Sequence, residues 1–222
     1  MAVRPATRTA AAVRPTSLWL RPSAKAALFV ACLLPLAWLI YGAWANRLGA
    51  NPAEALIRAT GDWTLRLLCI TLAVSPCRQW LQLPALARFR RMLGLFTFFY
   101  LTLHFLSYAW LDQGLDLDAI VRDIIKRPFI LAGSTGLLLM VPLAATSFNR
   151  AIKALGSARW QALHRVVYAI ALLGLLHFFW MRAAKNNLAE VAVYAAILGL
   201  LLGWRLWRHA AKRLTGTGRP TH

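Results

Sequence analysis

The stretch that decides the fold is WQALHRVVYAIALLGLLHFFWMR, residues Trp160–Arg182. It is long and apolar enough to cross a bilayer as one helix, and it carries one histidine near each end, His164 and His177. An ionisable side chain inside a membrane is costly and usually marks a functional site. The two histidines are 13 residues apart. That is roughly 20 Å along a helix, which suggests two redox or metal sites stacked within one hydrocarbon core.

Composition places the chain among membrane proteins. Of its 222 residues, 59% are hydrophobic, and the mean hydropathy is +0.54. The net charge of +19 would suit nucleic acid, but the basic residues alternate with apolar runs, which favours membrane topology and no nucleic-acid partner. Three cysteines lack paired spacing, so they are interpreted as small packing residues and not as a disulfide framework or metal site.

The apolar runs predict an all-α integral membrane protein, a bundle of six transmembrane helices joined by short connections. The second run is the weakest because Arg66 lies inside it. The first run, with its basic leader, is longer than a typical signal peptide, which favours an uncleaved anchor over cleavage. We expect a disordered basic tail over 1–25, a transmembrane domain over 26–207 and a second basic tail over 208–222. The six runs are 26–45, 63–76 with a further turn, 92–111, 129–148, 160–182 and 188–207.

Charge orients this bundle. One set of segments (1–25, 78–91, 150–165 and 205–222) holds 18 Lys and Arg and no acid. The other loops hold all seven acids and seven basic residues. Because Lys and Arg collect on the cytoplasmic side, both termini are predicted to be cytoplasmic.

Three of the five histidines fall inside apolar runs: His104, His164 and His177. The third and fifth runs cross in the same direction, and His104 and His177 both lie late in their runs, so they should sit at similar depth. Two neutral imidazoles facing each other across a bundle are the axial pair of a b-type haem. The alternative is that these histidines only pack or hydrogen-bond. His209 and His222 lie in the basic C-terminal tail and are predicted to be solvated.

His164 has no histidine opposite it. The matching positions on the third run are Arg90 and Arg91, which are poor iron ligands but can pair with a haem propionate. A second haem would then be five-coordinate or would use an unidentified ligand. The alternative is that both arginines simply flank a span. In addition, 13 residues turn a helix by about 140° away from the starting face, so His164 and His177 would not share a face.

Small and polar residues near the histidines suggest room for a planar cofactor. Glycine on a membrane helix lets a neighbour approach closely, whether a porphyrin or, more commonly, another helix. Tyr168 lies four residues after His164 and can hydrogen-bond near it, and Trp160 is interpreted as an interface anchor. The glycines concerned are Gly94, Gly133, Gly136 and Gly174.

Several functions are excluded by missing motifs. The sequence contains no CxxCH for covalent haem, no GxGxxG, no phosphate-binding Walker loop and no chain of buried carboxylates for proton pumping. No segment is long enough to form a soluble flavin and nicotinamide domain. Electrons must therefore arrive from a partner or a small carrier.

Several segments resemble the MsrQ family, formerly called YedZ, which belongs with the ferric-reductase-like transmembrane domains. The similarity extends over about residues 55–182. It is carried by GDWTLRLLCITLAVSPCR (61–78), RRMLGLFTFFYLTLHFLSY (90–108), RPFILAGSTGLLLMVPLAATS (127–147), LGSARWQALHRVVY (155–168) and LLHFFW (175–180).

The resemblance implies a bacterial inner-membrane subunit that holds one or two b haems on His104, His164 and His177. It would pass electrons from the quinone pool, or from a cytoplasmic flavin reductase, to a periplasmic molybdopterin enzyme that reduces methionine sulfoxide in oxidised proteins. The wider superfamily usually has a second histidine on the third helix, where this chain has Arg90. FMN has been associated with the family, although no FMN motif is present.

The primary hypothesis is therefore an electron-transfer subunit in contact with membrane lipid and not the catalytic subunit. The acidic outer loop Asp112–Asp123 is a candidate docking surface for the periplasmic partner, or simply a solvated loop. The alternatives are a self-contained ferric or quinone reductase and a non-redox scaffold or transporter.

Overall fold

A computed structural model describes residues 22–183 and 188–216, and all regular structure in these ranges is helical. A 3₁₀ turn at Pro84–Phe89 leads into α3, and a π-helical turn at Tyr108–Asp112 follows it. The main helices are α1 (Pro22–Trp44), α2 (Pro52–Trp80), α3 (Arg90–Ser107), α4 (Leu117–Lys126), α5 (Pro128–Ala145), α6 (Asn149–His164), α7 (Val167–Ala183) and α8 (Ala189–Gly216).

Five helical segments in the described ranges are long and apolar enough to cross a membrane, so this is a multi-pass membrane protein. They correspond to every predicted span except the second. The predicted second span lies in α2, whose first half carries Glu54, Arg58, Asp62 and Arg66. Those charges lower its hydropathy, and a count of six spans does not follow from composition. The five segments are Pro22–Trp44, Pro84–Asp112, Pro128–Ala145, Asn149–Ala183 and Ala189–Ala211.

Helix α2 is nevertheless the centre of the bundle. It packs most extensively against α3 and also contacts α1, α7 and α8. Leu67, Leu68 and Leu72 are fully or almost fully buried. At 29 residues, about 43 Å, the helix is longer than the hydrocarbon core. Neighbouring helices therefore cover the apolar face of α2, whereas Glu54 and Arg66 on the same helix are exposed.

The prediction of one continuous helix over Trp160–Arg182 is wrong. Helix α6 ends at His164, a turn occupies residues 165–166, and α7 begins at Val167. Two backbone hydrogen bonds here span three residues instead of the four of an α-helix. Val166 N–H donates to the Leu163 carbonyl, and Tyr168 N–H donates to the Arg165 carbonyl. Because no proline or glycine marks the turn, sequence patterns did not reveal it. His164 and His177 consequently lie on different helices.

The first and last helices extend beyond the predicted first and sixth apolar runs. Helix α1 begins at Pro22, before the first run, and α8 continues to Gly216, past the end of the sixth run at Trp207. Most of the predicted N-terminal tail, and His222, lie outside the described residues. His209 lies on α8 and is exposed.

Tyr100 joins α3 to α1. Its hydroxyl is completely buried, accepts a hydrogen bond from Leu36 N–H (3.1 Å) and donates one to the Cys32 carbonyl (2.8 Å). These two backbone groups are four residues apart and would ordinarily bond to each other within a helix. The hydroxyl is inserted between them beside Pro35, where the helical ladder is already interrupted.

Candidate functional site

Helices α3 and α7 bring His104 and His177 together. Their ring centroids are 6.0 Å apart, and the ring planes are inclined at 80°. Both histidines lie near the C-terminal ends of their helices, so these two helices run in the same direction. The structure therefore places the two side chains at one level, as the sequence predicted.

Each of these histidines is held by a backbone carbonyl of a neighbouring helix. His104 Nδ1 lies 2.8 Å from the Ile57 carbonyl on α2, and His177 Nδ1 lies 2.6 Å from the Phe129 carbonyl on α5. A carbonyl only accepts hydrogen bonds, so Nδ1 carries the hydrogen in both rings. In a neutral ring, Nε2 is then left with a free lone pair, which is the arrangement of a metal-ligating histidine and its supporting partner.

A glycine makes each of these hydrogen bonds possible. A Cβ added at Gly61 would lie 3.0 Å from His104 Cε1, and one added at Gly133 would lie 3.0 Å from His177 Nδ1. Each glycine is four residues after the carbonyl that accepts the bond, one turn further along the same helix face. Only a residue without a side chain lets the ring lie flat against the helix at that point. His104 and His177 are thus positioned in the same way, each ring against a glycine of a neighbouring helix, α2 or α5.

The pair borders a cavity of about 540 Å³. This volume lies within the range of about 300–1,000 Å³ typical of ligand sites, and most of the wall is apolar. Leu65, Met140 and Ile170 contribute to that wall. Gly136 and Gly174 also line it, and a Cβ at either position would meet nothing within 4 Å. The cavity therefore has space beside both glycines for a bulky ligand.

The open edge of the cavity is polar. Arg58 lines it and is paired with Glu54, and Arg127 lines it and bonds Asp123 at 2.8 Å. Each guanidinium has further N–H groups besides those in its ion pair, and these can hydrogen-bond the carboxylates of a bound cofactor.

These residues fit a haem. Two imidazoles that ligate one metal through bonds of about 2.0 Å have ring centres about 6 Å apart, close to the spacing between His104 and His177. Both rings present the correct nitrogen, both are oriented by a second hydrogen bond, and the adjoining cavity is large and apolar. Within the described residues no cluster of three or more His, Cys, Asp or Glu offers an alternative metal site.

His164 is arranged differently. Its Nε2 lies 3.1 Å from Thr146 Oγ1, and that hydroxyl donates its own hydrogen to the Pro142 carbonyl at 2.7 Å. Nε2 must therefore carry the hydrogen in a neutral ring, the opposite of the two paired histidines. Trp160 stacks on the ring at 4.0 Å and donates from Nε1 to the Thr146 carbonyl. Ligation through Nε2 would require the bond to Thr146 to be broken.

The other predicted residues divide between the two ends of the bundle. Gly174 lines the cavity, whereas Gly94 does not, and a Cβ added at Gly94 would lie 3.8 Å from Thr71 Cγ2 of α2. Arg91 donates to Asn149 at 2.8 Å. Arg90 is close enough to His164 for electrostatic interaction.

Tyr168 lies beneath a different partner from the one predicted. The Arg205 guanidinium is 5.0 Å from the centre of its ring, and no hydrogen bond to His164 is found between these described side chains. The structure thus brings His104, His177 and Gly174 together, but it does not bring Arg91, Tyr168 or Gly94 to that cavity.

Sequence reasoning missed Gly61 and the two carbonyl groups that orient the histidines. A glycine in an apolar helix is a weak signal, because close helix packing explains most of them. Nothing in the local pattern around Gly61 points to His104, which is 43 residues further along the chain. Gly133 was noted only as a small residue at the start of a span.

The chain is similar to known proteins over most of its length. Residues 60–175 match the family described as ferric reductase like transmembrane component. A protein of Polaromonas naphthalenivorans, named protein-methionine-sulfoxide reductase heme-binding subunit MsrQ, is 67% identical over 87% of this chain and 88% of its own. Proteins of the same name are 51% identical in Ralstonia nicotianae (82% and 83% covered) and 52% in Bordetella pertussis (83% and 90%). No solved structure matches.

Proposed function

This chain belongs to the MsrQ family of haem-binding subunits, and from that premise we propose that it is a b-type haem electron-transfer subunit of a methionine sulfoxide reductase system. The observation that carries the proposal is the pair His104 and His177, each fixed by a backbone carbonyl and each with Nε2 free. A structural pair of packing histidines would not require this shared tautomer beside a cavity of about 540 Å³.

The chain's own residues bind and orient the cofactor and limit the access of water. His104 and His177 would ligate the iron, and the Ile57 and Phe129 carbonyls would keep both rings neutral and correctly turned. Leu65, Met140 and Ile170 give the site an apolar wall. A bound haem supplies the one-electron redox centre, whose potential depends on these surroundings.

The proposed topology has six spans, with α2 as the second, and both termini in the cytoplasm of a bacterial inner membrane. The distribution of basic residues supports this orientation. Electrons would enter at the basic face near His164 and leave near His104 and His177. The donor would be the quinone pool or a cytoplasmic flavin reductase, and the acceptor a periplasmic molybdopterin-containing catalytic subunit.

A second haem on His164, with Arg90 or Arg91 beside a propionate, is a separate proposal. Its support is the intramembrane position of the histidine and the proximity of Arg90. The bond between His164 and Thr146 makes it the weaker site. Bound FMN would be a further cofactor, and no group in the cavity of the paired histidines is specific for it.

The proposed partner surface at Asp112–Asp123 is smaller than its sequence suggested. Asp116 caps α4 by accepting from Ala119 N–H, and Asp123 accepts from Tyr108 and pairs with Arg127. Asp112 and Asp118 remain as the carboxylates in this loop that a partner would meet.

The proposal is tested by electron delivery from the full-length protein in vesicles. We expect electron transfer from a reduced quinol or flavin reductase to the catalytic subunit, and loss of transfer in His104→Ala but not in His209→Ala. Rapid turnover of a ferric chelate or quinone without the partner would instead identify a self-contained reductase. A purified wild-type protein without a haem Soret band would refute both the electron-transfer subunit and the self-contained haem reductase.

A further inference from the structure

A second, smaller cavity lies at the opposite end of the bundle from the paired histidines. It has a volume of about 170 Å³ and is formed by the ends of α2 and α8 and the start of α7. None of the described residues that line it is an acid. They are Ser75, Gln79, Tyr168, Trp204, Arg205, Arg208 and His209.

Arg205 is the central residue of this cavity. It is only 9% exposed, and its Nη2 donates to the Leu72 carbonyl at 2.7 Å. The guanidinium lies over the Tyr168 ring. Its Nη1, however, is buried with no hydrogen-bond partner. An unsatisfied buried donor on a charged group is strongly unfavourable, so this atom points to a missing acceptor.

Gln79 provides the second observation. Its Oε1 is also buried without a partner and lines the same cavity. The site therefore has one donor without an acceptor and one acceptor without a donor. A ligand that carries both an anionic oxygen and a hydroxyl would satisfy both atoms.

The surrounding groups favour a phosphate. Arg205, Arg208 and His209 are spaced so that they share one face of α8. The Arg208 guanidinium is held 5.3 Å above the Trp204 ring, and Trp204 in turn packs against Trp80. Two preoriented guanidinium groups are the usual recognition elements for phosphate oxygens.

The depth of the cavity favours a lipid. Trp80 and Trp207, at the same end of the bundle, are each 67% exposed, and exposed tryptophans mark the level of the lipid headgroups. Basic pockets between transmembrane helices at this level are suited to anionic headgroups. The volume admits a headgroup but is below the range for a whole cofactor.

We propose that the cavity formed by Gln79, Arg205 and Arg208 binds the phosphate of an anionic phospholipid, with a headgroup hydroxyl donating to Gln79. Phosphatidylglycerol has this chemistry: its phosphate accepts from Arg205 Nη1 and Arg208, and its glycerol hydroxyl donates to Gln79 Oε1.

The test compares the full-length protein in phosphatidylcholine vesicles with and without added phosphatidylglycerol. Bound phosphatidylglycerol is counted by native mass spectrometry, and the melting temperature is measured in parallel. We expect phosphatidylglycerol to bind and raise the melting temperature. Gln79→Glu should weaken binding about tenfold or more, since the new carboxylate pairs with Arg205 and excludes phosphate. Arg208→Gln should weaken it in the same way.

Arg159→Gln is the matched control, because it removes one exposed positive charge at the same end of the bundle. It should bind phosphatidylglycerol like the wild type. Equal binding by wild type, Gln79→Glu and Arg208→Gln would overturn the proposal. Inorganic phosphate that stabilises the protein as well as phosphatidylglycerol would overturn the lipid source. Loss of haem from Arg208→Gln would show instead that the cavity serves a haem propionate.

Discussion

Replacing Gly133 by alanine tests directly how the His177 ring is positioned against α5. The added Cβ would lie 3.0 Å from His177 Nδ1 and 3.2 Å from Cε1, whereas comfortable contacts between such atoms begin near 3.5 Å. The ring must therefore move by about 0.5 Å away from α5. That movement stretches the hydrogen bond from Nδ1 to the Phe129 carbonyl, now 2.6 Å long.

The expected loss follows from the role of that bond. A partner that orients a metal-ligating histidine typically contributes 10- to 100-fold in affinity, so haem affinity in Gly133→Ala should fall by about tenfold or more. The effect on folding stability should be small. Alanine is favoured over glycine in a helix by about 0.5–1 kcal/mol, which offsets part of the local strain.

The assay is haem titration of the purified apoprotein, followed at the Soret band, with thermal unfolding measured in parallel. Gly61→Ala should behave like Gly133→Ala, because its Cβ would meet His104 at the same distance. Gly199→Ala is the control, since a Cβ there meets nothing within 4 Å and the residue lies outside the cavity. Haem affinity in Gly133→Ala equal to that of Gly199→Ala would refute the reasoning.

Three further substitutions separate the cavity from the scaffold. Gly174→Leu should fill part of the cavity and lower the haem content, measured by pyridine haemochrome. Gly199→Leu, outside the cavity, should keep the wild-type haem content. Equal haem content in the two variants would show that the cavity is not the cofactor site. Tyr100→Phe should destabilise the protein by about 1–3 kcal/mol in thermal or denaturant unfolding, because two buried backbone groups lose their bridge, with haem content unchanged. Thr146→Val should lower the free energy of unfolding by about 0.5–1.5 kcal/mol through the lost bond to His164. Loss of haem from the His104 and His177 pair in this variant would contradict the separation of the two sites.

The pairing of His104 with His177 could be predicted because it depends on topology alone. Two apolar runs that cross in the same direction place late residues at the same depth, whatever the details of packing. The orientation of the rings could not be predicted in this way. It depends on the Ile57 and Phe129 carbonyls, and backbone groups carry no sequence signature.

The helix break after His164 could not be predicted from the sequence. The periodicity of Trp160–Arg182 favours one helix, and no proline or glycine interrupts it. The interruption coincides with two hydrogen bonds that tie the end of α6 to Thr146, from Trp160 and His164. Tertiary contacts of this kind override local propensity. They also explain why His164 is not the symmetric counterpart of His177 that the sequence suggested.

Charge was a poor guide to burial. The charges in α2 made it the weakest predicted span, yet Leu72 of that helix is completely buried at the centre of the bundle. Arg205 was counted with the basic residues of the C-terminal end, but it is buried and donates to the Leu72 carbonyl inside the bundle. Hydropathy averages over a window and does not report which side chains face neighbouring helices.

The most direct test of the central claim is the haem content of three purified variants, His104→Ala, His177→Ala and His164→Ala, combined with redox titration. The account predicts that His104→Ala and His177→Ala each lose the same haem and the same titration step. It predicts that His164→Ala retains that step. Retention of the full wild-type haem content and titration in both His104→Ala and His177→Ala would contradict the proposed ligand pair.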